Sequence, residues 1–138
     1  MKIKARTIVP GKAIGEALVI NDSLSFYGGV DPNTGKIIDR HSPAYGKIIS
    51  GKILIFEGGR GSTVGSYVIY SLKKNGLAPK AMIVLESEAI IATGAALARI
   101  PLVDRPERNL LEIVEDGDRI TLNAESNYAI IEIQKHGS

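Results

Sequence analysis

Residues 52–66 read KILIFEGGRGSTVGS, and this stretch decides the fold class. Its first part carries an unbroken apolar run, Ile53, Leu54, Ile55 and Phe56, the pattern of a short strand buried on both faces. Gly58, Gly59 and Gly61 then force a turn. From Thr63 the spacing changes: Val64, Val68, Ile69 and Leu72 recur with helical period, and Gly76 stops the run. A second apolar strand, KAMIVL, follows at 80–85, and EAIIATGAALA at 88–98 predicts another helix despite Gly94. Strand, turn, helix and strand make one parallel βαβ unit, hence an α/β fold.

Working outward, residues 2–9 and 12–20 read as strands, with Ile3, Ala5, Thr7 and Val9 on one face of the first. Pro10-Gly11 between them is a turn signal, so the two are expected to pair as a hairpin. Residues 21–35, NDSLSFYGGVDPNTG, form a long organised loop rich in turn residues, and loops of that length are often functional. KIID at 36–39 is expected as a short strand, while 40–51 shows no clear pattern. Residues 118–123 and 128–134 are expected to close the chain as a hairpin. The whole holds at most one clear βαβ unit, without internal repeat or low-complexity linker, and its 138 residues fit one domain, 1–138.

Composition narrows the function. Hydrophobic residues make up 44%, enough for a real core, and the formal net charge is +2 with both signs dispersed. Nucleic acid is not the expected partner, because duplex binding shows a dense basic stripe and the chain has no Trp for base stacking. No segment approaches the roughly 18 apolar residues of a membrane span, and MKIKARTIVPGKAIG has no signal-peptide core, so a cytoplasmic protein is expected. The chain has no cysteine, which removes disulfides, thiolate metal sites and Cys-ligated iron–sulfur clusters from it; no metal ligand is assigned.

The segment with chemical content is Gly58-Gly59-Arg60-Gly61-Ser62-Thr63-Val64-Gly65-Ser66. A glycine turn entering a helix N-terminus favours phosphate or carboxylate, Arg60 adds an oxyanion clamp, and Ser62, Thr63 and Ser66 add hydroxyls. The same residues also make an ordinary capped turn. Ser66, one helical turn beyond Ser62, reads equally as a solvent-facing helix serine. A Walker loop is excluded because no Lys precedes the Ser/Thr. A dinucleotide reading uses Gly59, Gly61 and Gly65 with Glu86 after the next strand, but the glycine spacing is one residue too long and the chain is short of βαβ units.

GGVDPNTGKIIDRHSP at 28–43, GKILIFEGGRGSTVGSYVIYSL at 51–72, GLAPKAMIV at 76–84 and AIIATGAALARIPLV at 89–103 together resemble the swivel-domain small subunit of the aconitase X family. The resemblance covers nearly the whole chain. It implies a swivelling β/β/α domain with a β-rich core and flanking helices. It implies the small subunit of a two-subunit hydro-lyase, active only with a large catalytic subunit that carries a 4Fe-4S cluster; no cofactor is expected in this chain. One branch of the family dehydrates (R)-5-phosphomevalonate to trans-anhydromevalonate 5-phosphate in a modified mevalonate route to isoprenoids. Another dehydrates cis-3-hydroxy-L-proline. A nucleotide-binding or regulatory module remains the reading of another class.

Such an elimination needs a base for the proton α to the carboxylate and positive groups for the carboxylate itself. By the resemblance Ser62 is the candidate base, with substrate binding assigned to Arg60, Gly61, Thr63 and Ser66; Arg60 alternatively stabilises the Ser62 alkoxide. The loop adds Arg40 and His41 for phosphate or for the large subunit, and Asp31 and Asp39 as further ionisable candidates. Asp31-Pro32-Asn33-Thr34-Gly35 reads first as a turn. The 28–43 loop alternatively serves as an interface anchored by Tyr27 and Tyr45. His136 is expected to take no part.

Overall fold

The structure, a computed structural model, describes residues 1–137. Seven strands close into a barrel: β1 (Lys2–Val9), β2 (Gly11–Ile20), β3 (Ile53–Phe56), β4 (Ala81–Val84), β5 (Leu102–Asp104), β6 (Arg119–Ala124) and β7 (Ala129–Gln134). Their order around the barrel is β1-β5-β4-β3-β2-β6-β7. The helices are α1 (Phe26–Gly29), a single distorted turn, α2 (Gly65–Lys74), α3 (Ala89–Ala98) and α4 (Leu110–Ile113). None is long and apolar enough to cross a membrane.

The two long N-terminal strands do not pair with each other, contrary to the hairpin expected from Pro10-Gly11. Each instead serves two sheets. The first half of β1 lies antiparallel to β7 and the second half antiparallel to β5, with a register shift between Thr7 and Val9. The first half of β2 lies antiparallel to β6, and residues 17–20 run parallel to β3. Pro10 donates no N–H, and Gly11, at φ 151°, passes so close to Pro101 that a Cβ would lie 2.6 Å from its Cγ. The chain therefore turns across the end of the barrel, and closure leaves no free sheet edge.

β2, β3, β4 and β5 run parallel, giving two βαβ crossovers, β3-α2-β4 and β4-α3-β5, where the sequence pattern showed one. The missed strand, β5, has three residues, too few for a periodic signal. The expected strand at 36–39 is replaced by two isolated bridges, Val30 with Ile37 and Lys36 with Ile48, because turns on either side leave too little extended chain. The closing hairpin of β6 and β7 forms in continuous register.

Alternation along the strands builds two cores. Ile53, Ile55, Ala81, Ile83 and Val103 join Ile3, Ile120, Leu122 and Ile131 in one. Leu54, Phe56, Met82, Val84 and Leu102 join the Ile69 and Leu72 of α2 and the Ile91 and Ala95 of α3 in the other. A strand buried on both faces must be apolar at every position, which is why 53–56 and 81–84 read as unbroken runs. Each of these side chains larger than Ala81 contributes roughly 1.5–3 kcal/mol on burial. Gly94 allows α3 to reach α2: a Cβ there would lie 2.6 Å from Ile69 Cδ1. The segment between β2 and β3, residues 21–52, is tied to the outer core by Leu24, Phe26, Val30, Ile37, Ala44 and Ile49, all buried.

Two carboxylates are fully buried. Burial alone would raise their pKa, but Arg6 and the Ser87 amide hold Asp104 below the usual carboxylate range. Lys135, the Glu115 amide and both the ring and the amide of His136 hold Asp118 well below it. His136 thus belongs to a structural cluster that pins the C-terminal segment to the start of β6.

Candidate anion-binding site at the Gly-Arg-Gly-Ser turn

β3, β4 and β5 end on the same side of the barrel, and the turn after β3 occupies that edge. The long loop fixes its backbone: the Leu24 amide donates to Gly58 O at 2.9 Å, and the Arg60 amide donates to Leu24 O at 3.3 Å. Gly59 packs where any Cβ would run into Glu88 Oε1 and Ile91. Gly61 sits at φ 90°, and its Cβ would lie 2.5 Å from Ser25 Oγ. Both positions therefore demand glycine.

Beyond them the chain enters α2, which begins at Gly65 rather than at Thr63. Ser62 is exposed, and its Oγ accepts the Val64 amide at 3.1 Å while its carbonyl accepts the Gly65 amide at 2.9 Å. Among the described residues, the amides of Gly61, Ser62 and Thr63 find no acceptor. Val64, the residue before α2, offers no side-chain cap, so Ser62 Oγ alone takes an amide of the entering turn, and no acidic residue lies in the first turn of α2. The partial positive charge of the helix start therefore faces solvent beside Ser62.

Arg60 donates from Nη2 to Asp39 Oδ2 at 3.2 Å, joining the turn to the 28–43 loop. Asp39 Oδ1 accepts the His41 amide at 2.9 Å. The His41 amide, against a burial penalty and with help from Arg60, holds the Asp39 carboxyl below its ordinary range. Arg40 and His41 are exposed on the turn that Asp39 opens. The structure thus gathers Arg60, Gly61, Ser62, Thr63 and Asp39, with Arg40 and His41 adjoining.

Two candidates are placed elsewhere. Asp31 caps its own turn, its Oδ1 accepting the Asn33 amide at 2.9 Å, and that turn docks through Pro32 O to Asn75 at the far end of α2. Ten residues of helix separate it from Ser62, about 15 Å at 1.5 Å per residue. Ser66 is buried, not solvent-facing, and its hydroxyl donates to Ile90 O at 2.8 Å, locking α2 to α3. The sequence reading missed Ser25 and Glu88. Ser25 carries no motif, whereas Glu88, just before an apolar run, has the position of a helix cap. Glu86, the acid of the dinucleotide reading, is engaged by Arg6 and Arg105, and the closed barrel offers no doubly wound sheet.

No cysteine is present, and among the described residues no group of three or more His, Cys, Asp or Glu can hold a metal. Cysteine thiolates, the usual ligands of an iron–sulfur cluster, are thus missing from this sequence.

Residues 2–133 match the aconitase X swivel domain. The chain belongs to that family. Among curated relatives, the phosphomevalonate dehydratase small subunit of Methanocella arvoryzae is 54% identical, covering 89% of this chain and 93% of its own. That of Thermococcus onnurineus is 53% identical over 96% and 99%. Among solved structures, Thermococcus kodakaraensis aconitase X in its holo-form superposes with a TM-score of 0.90 at 50% identity, covering 98% of this chain and 99% of that one. On this aconitase X swivel domain, Tyr27 and Tyr45 of the loop and Tyr67 and Tyr70 of α2 are all exposed, with Ile38, Ile48, Val64 and Leu97. Thr63, Tyr67, Ile90, Thr93 and Leu97 line a groove between α2 and α3.

Proposed function

We propose that this chain is the small subunit of a phosphomevalonate dehydratase that removes water from (R)-5-phosphomevalonate to give trans-anhydromevalonate 5-phosphate. The observation that carries the reading is Ser62: an exposed hydroxyl, held by an amide, at a helix start with no acidic cap and beside an arginine. The near-full-length relatives carrying that name support the substrate.

In this reading Ser62 Oγ, as alkoxide, takes the proton from the carbon next to the carboxylate. The C–H electrons form the new double bond, the neighbouring C–O bond breaks and the hydroxyl leaves as hydroxide; its protonation to water, balanced by loss of the proton from Ser62, restores the alkoxide, so that water is lost without redox change. An alkoxide is a demanding state for a serine; the Val64 amide on Oγ and the positive helix start favour the charged form. Arg60 and the free amides of Gly61, Ser62 and Thr63 hold the substrate carboxylate or phosphate. Arg40 and His41 meet the phosphate or the large subunit. Ser66 and Asp31 serve packing and turn geometry. The chain supplies no thiolate for a cluster, so the iron–sulfur cluster resides in a large subunit. The exposed tyrosines and the α2–α3 groove suit its docking, since aromatic residues are enriched at interfaces. The soluble pair is expected in the cytoplasm, as one domain on one catalytic partner.

Anaerobic co-expression with the large subunit and a dehydration assay on 5-phosphomevalonate test this. Turnover by the pair and by neither chain alone is expected. A stable pair inactive on 5-phosphomevalonate but active on cis-3-hydroxy-L-proline overturns the substrate. Failure to bind a cluster-loaded large subunit overturns the subunit assignment.

A further inference from the structure

Arg60 stands between two glycines on an exposed turn, so its neighbours in sequence do nothing to restrain a long, rotamer-rich side chain. Its side-chain partner among the described residues comes from 21 positions away: Asp39, at 3.2 Å. The pair is asymmetric. The arginine side chain is 44% exposed and the aspartate 18%. The carboxylate is also fixed before it meets the arginine. The His41 amide donates to Oδ1 at 2.9 Å and the Ser42 amide to the Asp39 carbonyl at 3.1 Å. The preceding residues are pinned by the Ile38 amide on Gly29 O and by buried Ile37.

A part-exposed ion pair adds only about 0–1 kcal/mol to stability. A negative charge beside an anion site also opposes substrate binding. Neither stability nor attraction accounts for a carboxylate built in here. Orientation does. A guanidinium has five N–H donors in a fixed fork; one contact with a rigid carboxylate restrains its direction and leaves the others for a substrate oxyanion. Ordering that side chain before substrate arrives removes part of the entropy loss on binding.

We infer that Asp39 is a positioning residue of the anion site, acting through Arg60 to hold the guanidinium ready for the substrate's negative group. The inference rests on the reading of Arg60 as an anion ligand given above. It makes the 28–43 loop part of the binding machinery without direct contact between Asp39 and substrate.

The test is steady-state kinetics on 5-phosphomevalonate with the co-expressed complex, its assembly checked by size-exclusion chromatography. The variants are Asp39→Ala, Asp39→Asn, Arg60→Ala and the double variant. Asp39→Ala is expected to raise KM roughly 10- to 100-fold, with a smaller change in kcat. Asp39→Asn is expected to fall between it and the wild type, because its single amide oxygen can accept from the His41 amide or from Arg60 but not from both. In the Arg60→Ala background, Asp39→Ala is expected to add nothing, the mark of a residue that works through its partner. Where Asp39→Ala fails to assemble, Asp39→Asn and its Arg60→Ala double carry the same comparison. A full additional loss in the Arg60→Ala background, or an unchanged KM in an assembled Asp39 variant while Arg60→Ala is defective, overturns the inference alone. A normal KM and kcat for Arg60→Ala overturns the underlying reading of the site as well.

Discussion

The helices α2 and α3 follow adjacent parallel strands, leave the same edge of the barrel and pack on each other, yet their N-termini are finished in opposite ways. At α3, Glu88 is an extended cap whose two oxygens accept the Ile90 and Ile91 amides at 2.8 and 2.9 Å. A carboxylate thus satisfies the first amides and neutralises the positive end of the helix. At α2 the capping position is Val64, already in helical conformation and without a side-chain cap of its own; the neutral Ser62 hydroxyl takes the Val64 amide, and no acidic residue lies in the first turn. The amides before it face solvent beside Ser62. Glu88 also packs against Gly59, so the closed terminus supports the open one. The comparison teaches how one architectural unit, used twice, can be closed by a carboxylate in one copy and, on the proposed reading, left open for a ligand in the other.

Four measurements break or sharpen that contrast. If the open terminus is catalytic, Ser62→Ala lowers the kcat of the assembled enzyme by about 10²–10⁴-fold, the range for losing a positioned base. A variant with most of its activity removes the serine from chemistry. Gly59→Ala forces a Cβ onto Glu88 and Ile91; overpacking of this kind costs about 1–3 kcal/mol, read from urea denaturation. An unchanged midpoint would show that the two termini are not in rigid contact. Glu88→Ala removes the α3 cap and should lower stability by about 1 kcal/mol, seen as a lower melting temperature of the isolated chain. The smallest effect is binding of inorganic phosphate. Titration followed by amide NMR should shift Gly61, Ser62 and Thr63 and leave Ile90 and Ile91 in place, because those already donate to Glu88. Equal shifts at both helices would erase the distinction.

Legibility in the sequence divided along the same line as range of interaction. The strand-turn-helix at 52–76 could be read because each part has its own local period, and the structure shows β3 and α2 there. The second helix and the last hairpin were legible for the same reason. The N-terminal hairpin was misread because Pro10-Gly11 signals a change of direction and not the strand to which the chain returns. β5 was too short to register, and 36–39 had strand composition without room for a ladder. In the candidate site, glycines, Arg60 and Ser62 stood together in one motif. Ser66 looked like a further member, but its direction depends on where α3 lies. Asp39 and Asp31 looked alike as loop carboxylates until the fold carried one to Arg60 and the other to the far end of α2.

The sequence by itself determined the apolar runs, the turn that only glycine can make, the family, and the absence of any thiolate ligand for a cluster. These follow from local periodicity, backbone sterics and residue chemistry, which need no neighbour. Only the tertiary structure decided the order of strands around the barrel, the burial of Ser66, the carboxylate cap on one helix and not the other, and the meeting of Asp39 with Arg60. Each depends on which distant segments share an edge, and barrel closure sets that through pairings between residues far apart in the chain.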